Sequence, residues 1–152
     1  NLGDRNLARG KRIFEQATCS RCHNIGPGEK KLGPDLTDVT KRFKGSKLLT
    51  QIVKPSAEIH KKFQTQMVVT DDGRLRTGLV IEESNDAIRL LPNLLKPDKI
   101  DTISKSSIEA RKTADVSTMP TGLLDTYTVE EIFDLLAYIQ ASDRATVSKA
   151  TK

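Results

Sequence analysis

Tryptophan is absent, and aromatic residues make up only 4% of the 152-residue chain. With 36% hydrophobic residues as well, the apolar inventory is thin for this length, and burial of a large apolar group would supplement the core. Cysteine and histidine are scarce, at two of each. No apolar run is long enough to span a membrane. A secretory leader is not visible either: the opening Asn1-Leu2-Gly3-Asp4-Arg5 is polar, and without an initiating Met the chain reads as a mature protein or an excised domain. Charge of one sign is only slightly in excess, with 25 Lys and Arg against 20 Asp and Glu for a net +5. That balance does not suggest a nucleic-acid binder. Internal repeats and low-complexity segments are also lacking.

What is present divides by texture. Residues 1–62 read as helix and loop. Asp4 is placed to cap a first helix running to about Glu15, with Leu7, Gly10, Ile13 and Phe14 on its inner face. Residues 24–37 form a Gly/Pro-rich loop. Ser46 is placed to cap a short helix carrying Leu48, Leu49, Ile52 and Val53, which Pro55 ends. Over 63–113 the period changes from helical to alternating. Met67 and Val69 alternate with polar neighbours, Asp71-Asp72-Gly73 signals a turn, and Leu75, Thr77, Leu79 and Ile81 alternate on the return. A second turn at Ser84-Asn85-Asp86 precedes Ile88 and Leu90, and Ile100, Ile103 and Ile108 sit in further short extended pieces. This predicts a small antiparallel sheet or partial barrel. Residues 114–141 return to loop and helix. There Thr128-Val129-Glu130-Glu131 is a capping box, followed by Ile132, Leu135, Leu136 and Ile139 at helical spacing. Residues 142–152 read as a polar, fraying tail.

The chemistry is concentrated in Cys19-Ser20-Arg21-Cys22-His23. This is C-x-x-C-H, the pattern of covalent haem attachment. Two thiols three residues apart reach the two vinyl groups of one porphyrin, and the next residue turns its imidazole toward the iron. A zinc site would need two further ligands, yet His60 is the only other histidine and there is no third cysteine. A thioredoxin-like pair would need a βαβ setting, and a plain disulfide would not need the adjacent His. The carbonyl of Pro34, in Leu32-Gly33-Pro34-Asp35-Leu36, is a candidate acceptor for Nδ1 of His23. Leu36 is placed to pack on a haem face.

For the second axial position Met119, in Ser117-Thr118-Met119-Pro120, is the favoured ligand, since a thioether in a polar loop has no apolar periodicity to serve. Met67 is read as core and His60 as surface, with bis-His ligation the alternative. Basic residues cluster at Lys41, Arg42, Lys44, Lys47, Lys54, Lys61 and Lys62. They read as a solvated face that could also steer an acidic redox partner or an anionic surface.

With Gly10 and Phe14 before the C-x-x-C-H, Gly33-Pro34 in the loop, and a Met-Pro pair before a last helix bearing Tyr138, the chain resembles a class I cytochrome c. That resemblance implies crossing first and last helices, with Gly10, Phe14, Leu135 and Tyr138 at the crossing. A resemblance covering nearly the whole chain rests on the order Gly33-Pro34-Asp35-Leu36-Thr37, Pro55-Ser56, Thr70-Asp71-Asp72-Gly73-Arg74, Thr77-Gly78-Leu79-Val80 and Met119-Pro120-Thr121-Gly122-Leu123-Leu124. This order is similar to the planctomycete/verrucomicrobial-type haem-binding domain family. It implies a β-rich insert before the methionine loop, Met119 as sixth ligand, and a module that often serves large secreted dehydrogenase-like proteins.

The expectation is therefore a mainly α cytochrome c fold interrupted by a small antiparallel sheet, α+β overall. One haem c would be attached through Cys19 and Cys22 and ligated by His23 and Met119. The expected role is one-electron transfer, not enzymatic catalysis, with a redox protein or a fused dehydrogenase domain as partner. The alternatives are a haem sensor or haem enzyme with an open sixth site, and a module whose working part is the sheet. Because haem c is attached outside the energy-transducing membrane, a periplasmic or exported location is expected.

Overall fold

The computed structural model of the protein describes residues 4–94 and 96–149, with side chains as far as 141. The chain divides into two compact units. The first gathers the chain up to Pro55 with the chain from Thr121 onward, and the second is Ser56–Pro120.

In the first unit, helix α1 spans Leu7–Gln16. Its cap is Asn6, whose side-chain oxygen accepts from the Arg9 N–H at 2.8 Å. The expected cap, Asp4, lies two residues before Asn6, too early to reach the orphan N–H groups of the first turn. Gly10, Ile13 and Phe14 are buried, while Leu7 remains 45% exposed. A single turn, α2, covers Cys19–Cys22. Helix α3 spans Ser46–Val53 and is preceded by Gly45, so Ser46 is the first residue inside the helix and not its cap. Helix α4 spans Val129–Lys149. It starts with a complete capping box: Glu131 accepts from the Thr128 N–H at 2.9 Å, and Thr128 Oγ1 accepts from the Glu131 N–H at 3.4 Å. Its end lies well beyond the 141 expected, because Ser142 to Lys149 contains neither Pro nor Gly to break it. The last three residues, which close the expected tail, lie outside the described residues.

Helices α1 and α4 pack against each other. Leu135, Leu136 and Ile139 are buried, and the Phe14 and Tyr138 rings lie 5.7 Å apart. A Cβ on Gly10 would stand 2.2 Å from the carbonyl oxygen of Asp134, so the backbones approach as closely as glycine permits. Asp134 itself is 1% exposed. Its carboxylate accepts from the Asn6 N–H at 3.2 Å and from Arg9 Nε at 2.5 Å. A buried charge is tolerable only with such partners, and these two tie α4 to the first turn of α1.

The second unit is a five-stranded antiparallel sheet in the order β4-β3-β2-β1-β5. The strands are β1 Gln64–Thr70, β2 Leu75–Glu83, β3 Ala87–Leu91, β4 Asp101–Ser104 and β5 Ile108–Ser117. The last strand runs past the expected insert boundary at 113. The first turn is fixed by Asp72, which accepts from Thr70 Oγ1 at 2.5 Å and from the Arg74 N–H at 3.2 Å, with Gly73 at φ +75°. A 3-10 turn at Lys105–Ser107 bonds to both neighbouring hairpin ends: Lys105 N–H donates to Asp86 at 2.8 Å, and Asp71 N–H donates to Ser107 at 2.9 Å. The sheet's core is Val68, Ile88, Leu90 and Ile103, flanked by Val80 and Ile108.

The core face of β1 therefore carries Val68, and not Met67 and Val69, which are half-buried. With a period of two, the neighbouring Met67-Val68-Val69 offers an apolar residue to either face, so alternation cannot fix which face is core. On β2, Leu79 is buried, but Leu75 is 57% and Ile81 37% exposed. The pairing with β3 slips between Val80 and Glu82, and that irregularity breaks the simple alternation.

The open end of β2 is held by ion pairs. Glu83 accepts from both Arg111 Nη1 and Nη2 at 3.1 Å and from Lys105 Nζ at 2.9 Å. These hydrogen bonds, Arg111 first, hold its carboxyl at about 2, against an ordinary 4.5. A depressed carboxylate adds stability above its unfolded value and loses it as pH falls from 4.5 through 2. Because Glu83 is more than a third exposed, solvent screening reduces the contribution. Glu83→Gln is expected to cost no more than about 1 kcal/mol at neutral pH. In paired urea melts at pH 7 and in strong acid, the difference from wild type should shrink at the acid end.

Candidate haem-attachment site

The site begins where α1 stops. Thr18 turns the chain with φ +63°, the only non-glycine residue in the left-handed region among the described residues. A β-branched residue is costly there, and such strain is retained where the surrounding structure dictates it. The reversal starts the Cys19–Cys22 turn, in which the Arg21 N–H donates to Thr18 and the His23 N–H to Cys19, at 3.0 and 2.9 Å. Both cysteines are free thiols and half-buried. Burial pushes the Cys19 thiol up to about 11. It also raises Cys22, against the pull of the Lys31 and Arg21 charges.

His23 lies beyond the turn in extended backbone, with Nδ1 2.7 Å from the carbonyl oxygen of Pro34. A carbonyl only accepts, so Nδ1 carries the proton and Nε2 keeps its lone pair. Burial is the largest influence on the ring and holds it below the usual histidine range; the Pro34 carbonyl opposes that shift and the Lys31 charge reinforces it. The neutral ring is the ligand form. Nε2 has no hydrogen-bond partner among the described residues.

Gly33 makes this geometry possible. Its N–H donates to the Cys22 carbonyl at 2.8 Å. A Cβ there would stand 2.6 Å from that oxygen and 3.0 Å from Cε1 of His23. The loop is pinned on its far side, where the Leu36 N–H donates to Asn24 at 2.9 Å and the Gly26 N–H to Thr37 Oγ1 at 2.8 Å. Asn24 reaches the Glu29 carbonyl, and Asp35 caps Thr37 through its N–H at 2.7 Å. Leu36 is half-buried.

Cys19, Cys22, His23, Pro34 and Leu36 thus belong to one unit. Met119 belongs to the other, where it is half-buried and its N–H donates to Ser117 Oγ at 3.1 Å. His60 is exposed, its Nδ1 accepting from the Lys62 N–H at 3.3 Å.

One residue at the site was not anticipated. Lys31 is half-buried and donates from Nζ to the Ser20 carbonyl, inside the attachment turn. In the sequence it is one of two adjacent lysines, and nothing in spacing separates it from exposed Lys30.

The donor set fits a covalent haem. Two free thiols stand three residues apart in one helical turn, an imidazole presents one unengaged nitrogen, and a glycine occupies the place where a side chain would displace that ring. The family model described as Cytochrome c matches residues 7–76, from α1 through the attachment turn and α3 into the first hairpin of the sheet. The match supports a c-type cytochrome, a haem-binding electron-transfer module in a family of electron carriers typically exported or periplasmic and not typically enzymes. Covalently bound haem c is what this family implies, and the two cysteines suit it. No curated protein matches the chain. Among the described residues no helix is long and apolar enough to cross a membrane.

Proposed function

We propose that the protein is a single-haem electron carrier, with the group attached at Cys19 and Cys22 and the iron held between His23 and Met119. The observation that carries this reading is the His23–Pro34 hydrogen bond beside two free thiols. It fixes the tautomer, directs the unengaged nitrogen, and raises the ligand's basicity. Bound haem c supplies a one-electron ferric/ferrous couple. The chain's own residues do the rest. The cysteine sulfurs retain the group as thioethers, His23 supplies a neutral imidazole, and the Gly33-Pro34 segment keeps that ring from turning. Met119 as second ligand rests on its chemistry and its loop setting, since a soft thioether favours the ferrous state and raises the potential.

The fold is read as a cytochrome c fold interrupted by the sheet, in keeping with the planctomycete/verrucomicrobial-type arrangement. The acceptor or donor is a redox protein or a fused dehydrogenase domain, and the location is periplasmic or exported. An acidic partner surface would suit the exposed Lys44, Lys47 and Lys54.

The test is the visible spectrum of the purified protein, ferric and then reduced, for wild type and Met119→Ala. Wild type is expected to be low-spin, with sharp α and β bands on reduction, a weak red sulfur-to-iron band when oxidised, and haem that survives denaturation. Met119→Ala should lose the red band and bind carbon monoxide when reduced. A high-spin wild type, or one that binds carbon monoxide unaided, would sink the Met119 assignment and favour the open-site sensor or enzyme.

A further inference from the structure

Lys31 is a cation drawn into the attachment turn from outside it, whereas Arg21, within the turn, is exposed. The Lys31 stem is half-buried and its ammonium donates to the Ser20 carbonyl, between the two cysteines. No carboxylate pairs with it among the described residues. Most other lysines of the first unit are exposed, where water and salt screen them. A charge tethered in a partly desolvated place acts over a shorter and less screened path.

We infer that Lys31, fixed on the Ser20 carbonyl, is an electrostatic positioning residue that raises the reduction potential of the haem held at His23. The inference rests on the haem reading above. In the reduction step one electron arrives from a reduced partner protein, no bond forms or breaks, and the net charge at the iron falls by one. A permanent positive charge close to the proximal ligand lowers the energy of the state with less positive charge, which is the ferrous one. The Ser20 carbonyl that holds the ammonium belongs to the same Cys19–Cys22 turn in which the Cys19 carbonyl accepts from the His23 N–H.

The experiment is a mediated redox titration of the haem-loaded protein, followed optically, for wild type, Lys31→Gln, Lys31→Arg and Lys30→Gln. Lys31→Gln is expected to shift the reduction equilibrium toward ferric by on the order of tenfold, about 59 mV lower for a one-electron couple. Its absorption spectrum should match wild type, showing that ligation is unchanged. Lys31→Arg should keep the potential, and exposed Lys30→Gln should move it much less. Lys31→Met, which keeps the aliphatic stem, must show the same downward shift if Lys31→Gln folds poorly. A low-spin Lys31→Gln at the wild-type potential, or an equal drop in Lys30→Gln, overturns the role of Lys31 alone. A wild type that takes up no covalent haem overturns both this inference and the reading beneath it.

Discussion

Gly33→Ala is expected to strip the protein of an ordered histidine ligand while leaving the C-x-x-C-H motif untouched. The added Cβ would meet the Cys22 carbonyl at 2.6 Å and the His23 ring at 3.0 and 3.1 Å. The first of these partners is backbone, so no rotamer change relieves it. The chain must open between Cys22 and Gly33, losing the 2.8 Å bond that joins them, or the ring must turn away from Pro34. Gly33 is not in the left-handed region, so the effect is one of contact and not of backbone preference. Disturbing the group that orients a ligating histidine typically costs about 10–100-fold in metal affinity. The predicted result is a fall in haem content of the purified variant, with a high-spin or mixed spectrum in what remains. An alanine variant with wild-type haem content and a low-spin spectrum would falsify the claim that Gly33 sets the ring.

The second large effect concerns Gly10. In an isolated helix, alanine in its place would stabilise by about 1 kcal/mol. Here the new methyl would lie 2.2 Å from the Asp134 carbonyl oxygen and 2.7 Å from Cβ of Tyr138. Both obstacles are rigid, one being backbone and the other the root of a side chain already packed on Phe14. The helices have to separate. That loosens the ring pair and lengthens the bonds from Asn6 and Arg9 to buried Asp134. Overpacking alone costs about 1–3 kcal/mol, and a weakened pairing of a buried carboxylate adds to it. Gly10→Ala is expected to destabilise the haem-loaded protein by roughly 2 kcal/mol or more in urea melts. A stabilised variant would show that helix propensity outweighs the crossing.

Much of the attachment site is legible in five consecutive residues, because covalent attachment requires its donors in one short stretch. The His23–Pro34 hydrogen bond is similarly foreseeable: a ligating histidine needs an acceptor for Nδ1, and the Gly33-Pro34 loop is the nearest segment free to bend toward it. The Thr128–Glu131 box is legible because its partners are three residues apart. What escapes sequence reading depends on long-range placement. Asp134 looks like an ordinary polar position in an amphipathic helix until Arg9 and the Asn6 N–H, more than a hundred residues away, are brought to it. The choice of Asn6 over Asp4 as cap depends on which residue the crossing makes the start of α1. In the sheet, Val68 and Met67 are equally apolar, and only the partners Ile88, Leu90 and Ile103 decide which one is core. Lys31 is the same case among charged residues: its neighbour Lys30 has the same chemistry and a different fate.

The Ser117 N–H donates to Ser56 Oγ at 3.0 Å, which pins together the two ends of the sheet unit. This has a kinetic meaning. The contacts that join α1 to α4 lie 128 residues apart along the chain, a separation that makes folding slow if the whole intervening chain must be searched. Strands β1 to β4 pair with their neighbours in sequence, and β5 returns across the sheet to pair with β1, which closes the unit. Once formed, it replaces a 61-residue excursion with a single hydrogen-bonded neck. The remaining loop is roughly halved, which lowers the closure entropy of the helix crossing by about 0.6 kcal/mol. A sheet unit closed in this way would shorten the search that brings the two ends of the chain together.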